Sequence, residues 1–167
     1  MVKEVVLITR PIEEAQTLAD KLQHLGASPL IAPMIDIMPV SGSKSLVEEY
    51  YQQAVQELLI TSVNSLKVLG YIETSIPLIV VGKATVNYAQ AIGYTNVTYA
   101  GKNVDAFQEY IQKHCETGKG SLVYASGNII TSNIHEALAE QGYDVKQIIM
   151  YQSKACLLYT SDAADES

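Results

Sequence analysis

Cysteine is nearly absent: Cys115 and Cys156 are the two in 167 residues. That is too few for a disulfide framework, and their spacing matches no metal motif. Basic residues are scarce as well. Eleven Lys and Arg stand against eighteen Asp and Glu, a net charge of −7, which argues against nucleic acid or an anionic membrane as partner. No apolar run approaches the roughly 20 residues needed to cross a bilayer. From Met1 the chain goes directly into the apolar run Val5-Val6-Leu7-Ile8 with no signal-peptide pattern, so a cytoplasmic location is expected. No G-x-G-x-x-G follows an apolar run and the Walker spacing is missing, which argues against a dinucleotide or Walker-type phosphate site. No Ser/His/Asp set or carboxylate pair can be assembled. His24, His114 and His135 are scattered over helical segments, so no metal is expected. Tryptophan is missing too, which excludes nothing. One Phe against eleven Tyr points to half-buried rings with wet hydroxyls.

What is present is a 48% hydrophobic chain, long enough for one good core and not comfortably for two. Four apolar runs end in a hydroxyl or glycine and turn straight into a helical pattern. The junctions are Thr9-Arg10-Pro11, Thr61-Ser62-Val63-Asn64, Gly82-Lys83-Ala84-Thr85 and Ser126-Gly127-Asn128. In a parallel α/β sheet such junctions share one edge. Helix starts there present unpaired N–H groups and the positive end of the dipole, so they hold anions with few cationic side chains. The repetition predicts a cleft for a ligand with several carboxylates or phosphates.

Between these junctions the periodicity alternates. Val5–Ile8 reads as a buried parallel strand. Ala15, Leu18, Ala19, Leu22 and Leu25 repeat at helical spacing until Gly26 stops them. Pro29, Pro33 and Pro39 make 29–40 a short strand followed by an extended crossing segment. A helix is expected from Ser45 to about Gln56, then strand 58–60, a short helix to Gly70, and strand 78–81. A helix to Ala91, strand 97–99, helix 104–114 and strand 122–124 follow. Helix 130–141 and strand 145–151 close the series. From Ser45 onward this is a parallel sheet with helices on both faces. The first strand–helix–strand unit buries too little to stand alone, so it either adds to the same sheet or is half of another domain; the crossing segment 29–40 favours the second.

Residues Cys156–Glu166 break the pattern. They resemble the in-frame translation of a transposon-type sequencing adaptor, and residues 154–167 are treated as an artefactual tail. Without Asp162, Asp165 and Glu166 the charge falls to −4, and Cys115 is the one genuine cysteine. The chain is then expected to be a fragment that continues beyond Ala155.

Each candidate has a plain structural use. Gly82 suits a tight strand-to-helix turn, and Thr61, Ser62, Thr85 and Ser126 suit N-capping; the case for function rests on their joint position. Arg10 and Lys83 oppose the dipole at their helix starts, where a carboxylate partner would account for them. Tyr151 ends the last strand, where its phenol would reach a cleft as a donor.

Six pieces in order resemble the uroporphyrinogen-III synthase family. They are Val6-Leu7-Ile8-Thr9-Arg10-Pro11, the Ala15-to-Gly26 helix, Pro29-Leu30-Ile31-Ala32-Pro33, Leu59-Ile60-Thr61-Ser62-Val63-Asn64, Val80-Val81-Gly82-Lys83-Ala84-Thr85 and Ile149-Met150-Tyr151-Gln152-Ser153. The resemblance covers residues 1–155. It implies a flavodoxin-like α/β domain over 41–146, inserted in a second, incomplete α/β domain that begins with residues 1–36. Residues 37–40 and 147–153 would be connector strands.

The implied activity is closure of hydroxymethylbilane to uroporphyrinogen III, with inversion of ring D and loss of water, in heme biosynthesis. No cofactor is implied, and a monomer is expected. The eight substrate carboxylates suit the amide-rich helix starts. Ser62, Gly82, Lys83, Thr85, Ser126 and Gly127 would bind substrate from one domain and Arg10 from the other, with Tyr151 assisting departure of hydroxide. Many relatives carry an arginine where Ile130-Thr131-Ser132 stands here, which moves or weakens one carboxylate contact. The 167-residue product itself is expected to be inactive. The alternative is a non-catalytic flavodoxin-like module for a small anion. A receiver of that kind would need acids at the end of the first strand, where Thr9-Arg10 stands.

Overall fold

The computed structural model describes residues 4–72, 75–130 and 132–156. The chain divides into two compact units, Met1–Met38 with Ser153–Ser167, and Pro39–Gln152.

In the first unit, β1 (Val5–Ile8) pairs in parallel with β2 (Ser28–Ile31), with Leu7 opposite Leu30. The helix α1 (Ile12–His24) joins them and buries Ala15 and Ala19 against Ile8. Glu13 and Glu14 occupy its first turn and Lys21 and His24 its last, which complements the dipole. Strand alternation puts Ile8 inside, while Val5 and Leu7 are exposed.

The second unit is a mostly parallel sheet flanked by helices. β3 (Ile35–Pro39) ends where this unit begins, and the elements after it are α2 (Ser43–Tyr50), β4 (Val55–Ile60), α3 (Val63–Leu69), β5 (Leu78–Val80) and α4 (Lys83–Ala91). They continue with β6 (Val97–Tyr99), α5 (Val104–His114), β7 (Ser121–Gly127), α6 (Ile134–Glu140) and β8 (Val145–Ala155). The six-stranded order is β3-β8-β7-β4-β5-β6. Backbone bonds Val40 N–H to Met150 O and Cys156 N–H to Met34 O set β3 antiparallel to β8. The other neighbouring strands pair in parallel.

β7 is buried throughout and β4 over its second half, hence the apolar runs Leu122-Val123-Tyr124 and Leu58-Leu59-Ile60. Leu59 lies opposite Tyr124. Both face α5 and α6, in a core with Phe107, Ile111, Ile134 and Leu138. Leu58, Ile60, Leu78, Val80 and Val123 are buried on the other face, where α2 and α3 approach β7 and α4 approaches β6.

Several boundaries differ from the sequence reading: the strand expected over 145–151 runs on to Ala155 and the one expected over 58–60 begins at Val55. The helix expected over 45–56 ends at Tyr50, because Tyr51–Gln53 turn back onto it and Ala54 O accepts from Ser121 N–H as β4 starts. The strand expected over 122–124 runs on to Gly127, since β4 pairs it as far as Ala125 and β8 as far as Gly127. The helix expected from Ile130 starts at Ile134. Ser126-Gly127-Asn128 is therefore a strand end followed by a loop, not a helix start.

On β4, beside a register shift, Glu57 is half-buried, and its Oε2 has no hydrogen-bond partner among the described residues. Burial pushes its carboxyl up from 4.5 to about 7. The folded state holds this proton more tightly than the unfolded chain, so stability is fullest below about 4.5 and declines as pH rises towards 7. Glu57→Gln is expected to flatten that decline and to raise stability at pH 8 by about 1–2 kcal/mol, a figure reduced for partial exposure. Denaturant midpoints from pH 5 to 8 measure it; parallel profiles for the two proteins would contradict it.

Candidate functional site

Chain direction makes a crevice in the second unit. From β4 the chain crosses through α3 to β5 on one side, and from β7 it crosses through α6 to β8 on the other. The connections diverge between β4 and β7, and ligands of open α/β sheets bind at the carboxyl ends of strands at such a point.

A cavity of about 340 Å³ opens there. Thr61 and Ser62 enter it after β4, Val81 after β5, and Lys102 and Asn103 after β6. Ile129, Ile130 and Ser132 enter after β7, and Tyr124, Gly127 and Tyr151 come from the strands themselves. Among the described residues that line it, none is Asp or Glu, although the chain is strongly acidic.

Two hydroxyl pairs organise the lining. Tyr151 Oη donates to Ser62 Oγ at 3.1 Å. The same Ser62 oxygen accepts from Asn64 N–H at 3.2 Å, which caps α3. Ser62 thus accepts twice and keeps its own proton to give. Thr61 Oγ1 and Tyr124 Oη lie 3.1 Å apart. Burial pushes the Tyr124 phenol up; the Thr61 bond pulls it down and Tyr151 pushes it up again. Tyr124 therefore stays a neutral hydroxyl.

The backbone fixes Tyr151. Asn128 N–H donates to Tyr151 O at 3.0 Å, and Gly127 stands opposite Tyr151 in the β7–β8 register. A Cβ at Gly127 would lie 2.6 Å from Tyr151 Cζ and 2.8 Å from its Oη. The glycine is what lets the ring lie across the strand end.

Of the residues expected from the sequence, Tyr151, Ser62 and Gly127 come together here. Gly82, Lys83, Thr85 and Ser126 are not in the lining. Gly82 caps α4 with φ of 81° and donates to Gly101 O. Thr85 is buried in α4 behind it, and Lys83 is exposed. Ser126 is fully buried and accepts from Gln147 Nε2 at 2.9 Å. Arg10 is exposed between β1 and α1 in the first unit.

Sequence reasoning missed Tyr124, Lys102 and Asn103. Tyr124 reads as one more ring in an apolar run. Asn103 had a signal, a cap residue directly before the Val104 helix; its Oδ1 accepts from Ala106 N–H at 3.1 Å. The junction after Tyr99 is a fifth strand-to-helix passage.

Among the described residues, no group of three or more His, Cys, Asp and Glu is placed to hold a metal, and no helix is long and apolar enough to cross a membrane.

The profile of the family described as "Uroporphyrinogen-III synthase HemD" matches residues 16–165. The match runs across 156–165, most of the stretch read above as adaptor; that reading otherwise falls outside the described residues, which end at Cys156. No curated protein matches the chain. Among solved structures, a variant uroporphyrinogen III synthase from the extreme thermophile Thermus thermophilus is similar at 15% identity and a TM-score of 0.60, over 93% of this chain and 64% of that one. Its wild-type form is similar at 20% identity and 0.55, over 93% and 63%. The uroporphyrinogen-III synthetase of Helicobacter pylori is similar at 18% identity and 0.55, over 96% and 66%. At these identities the likeness carries the fold. The chain spans about two thirds or slightly less of those proteins' length.

Proposed function

We propose a function from one premise: the chain belongs to the uroporphyrinogen-III synthase family. The reading is that it takes part in closing hydroxymethylbilane to uroporphyrinogen III with loss of water, as a cytoplasmic monomeric lyase without a cofactor. Residues 37–40 and 147–153 act as connector strands in that reading. The observation that carries it is the acid-free, hydroxyl-lined cavity with Tyr151 bonded to Ser62.

The chemistry follows from those groups. Loss of hydroxide from the substrate leaves a reactive azafulvene, and the departing oxygen needs a proton donor. Tyr151 supplies it, directly or through the Ser62 hydroxyl; the oxygen leaves as water, and the pyrrole N–H proton released in forming the azafulvene restores the phenol. Apolar Ile129, Ile130 and Val81 cover the ring faces. Holding the reactive conformer supplies the rest of the acceleration. Arg10 would contribute a carboxylate contact from its own unit. Family membership disfavours the small-anion module.

Because the chain spans 64% of a solved relative, binding is the deciding measurement. Uroporphyrinogen, kept reduced, is expected to raise the melting temperature. At a hundredfold excess over Kd the gain is about 2.7 kcal/mol. No shift at millimolar ligand would sink the reading. Tyr151→Phe is expected to cost about 0.5–1.5 kcal/mol of stability for the lost hydrogen bond and to leave the ligand-induced shift in place. In a turnover-competent form of the protein it should cut formation of the type III isomer by about 10²-fold, the lower end for a lost proton donor. An unchanged isomer yield would remove Tyr151 from the chemistry.

A further inference from the structure

We propose that Lys102 is the carboxylate anchor of this cavity, and that the cavity holds one substituted pyrrole ring of the tetrapyrrole by a side-chain carboxylate. The inference rests on the synthase reading and adds a specific residue and a stoichiometry of rings to it.

Size comes first. About 340 Å³ is at the small end for small-molecule pockets, which run from about 300 to 1,000 Å³. A four-ring ligand exceeds it, whereas one ring with its two acid arms suits it. The lining matches such a ring: Val81, Val104 and Ile134 are apolar, and hydroxyls of Ser62, Thr61 and Tyr151 stand beside them.

Charge comes second. In a chain of net charge −7, the lining described has no carboxylate and a single cation, Lys102. Exposed lysines elsewhere, such as Lys113 with Glu109 and Lys119 with Glu116, meet an acid on their own helix or turn. Among the described residues no ion pair involves Lys102. Asp105 sits in the first turn of α5 but does not line the cavity. Lys102 also precedes the start of α5, where the dipole disfavours a cation. An anion entering the cavity would relieve that repulsion.

Placement comes third. Gly101 has φ of 116°, and a Cβ there would collide with Ala106 Cβ. The loop is thereby pressed against the first turn of α5, while Asn103 caps that turn. Lys102 is held between two fixed residues, so its stem starts from a defined point at the cavity rim.

The test is a titration of the chain with reduced uroporphyrinogen at about 20 mM and about 500 mM salt, a range chosen to span weak and strong screening. It compares wild type, Lys102→Met, Lys102→Arg and Lys113→Met. Lys113 is at the far end of α5 and controls for net charge. At low salt Lys102→Met is expected to bind about five- to tenfold more weakly, the loss of one charge-assisted contact at a partly exposed site. The gap should close to within about twofold at high salt. Lys102→Arg and Lys113→Met should stay within about twofold of wild type, since each keeps a cation at the rim. If wild type binds and Lys102→Met binds equally well, or if Lys113→Met weakens binding as much, the anchor is not Lys102 and the synthase reading survives. If wild type does not bind, both fall.

Discussion

Gly127→Ala should displace Tyr151 and abolish the tyrosine's bond to Ser62. An added methyl carbon would lie 2.6 Å from Cζ and 2.8 Å from both Cε2 and Oη of the ring, well inside contact distance. The ring has little room to yield. Tyr151 is 8% exposed, its carbonyl is held by Asn128 N–H, and its main chain is registered against Gly127 itself. The ring must leave its rotamer, or the two strands must part. Overpacking of this kind costs about 1–3 kcal/mol, which lowers the melting temperature by several degrees. The functional loss should be larger than the stability loss, since the displaced phenol is the proposed donor. Melting curves measure the stability loss, and the yield of the type III isomer from a turnover-competent form measures the functional one. A Gly127→Ala protein that melts like its parent and forms the type III isomer as fast would show that the phenol is not confined as the geometry requires.

Phe107→Ala should be the most damaging single change to stability. Phe107 is fully buried on α5, among Leu59, Ile79, Ile111, Leu122, Tyr124 and Ile134. Truncating a buried phenylalanine costs about 3–5 kcal/mol, for lost transfer energy plus the cavity left behind. A typical domain has about 5–15 kcal/mol in total, so the variant should be partly unfolded in mild denaturant. Phe107→Leu keeps most of the volume and should cost far less. The damage should reach the site, because α5 carries Asn103 and Lys102 at its start and Tyr124 shares the same core. Urea midpoints for the three proteins test this. An unchanged midpoint in Phe107→Ala would mean that α5 does not depend on this core.

Much of the fold was legible in the sequence because burial writes itself as periodicity. Apolar runs such as Leu58-Leu59-Ile60 and Leu78-Ile79-Val80 become central strands, and Phe107 and Ile111 recur at helical spacing on α5. Glycines at 26, 82, 93 and 142 mark real ends of elements and have positive φ. The errors came where a neighbour decides. Ser126-Gly127 looks like a turn, yet β8 draws it into the sheet. Ile130 reads as the start of a helix, but the helix begins at Ile134, and Ile130 lines the cavity with Ile129.

The candidate site was legible in part. Ser62 and Tyr151, 89 positions apart, were both picked as candidates, and they meet at 3.1 Å. Thr85 and Ser126 were picked on the same grounds of hydroxyl chemistry at a strand end. They are buried as structural groups, because a hydroxyl in a cap or a buried strand is satisfied locally and its residue type does not record which.

By itself the sequence determined the alternation of strands and helices, the acidic surface and the strand-end positions where a ligand could be held, since these follow from local apolar spacing and backbone polarity. Tertiary structure alone decided which strand ends are neighbours. The order β8-β7-β4-β5-β6 sets Tyr151, Ser62 and Lys102 around one cavity, and strand order is fixed by long-range packing that no local window of residues encodes.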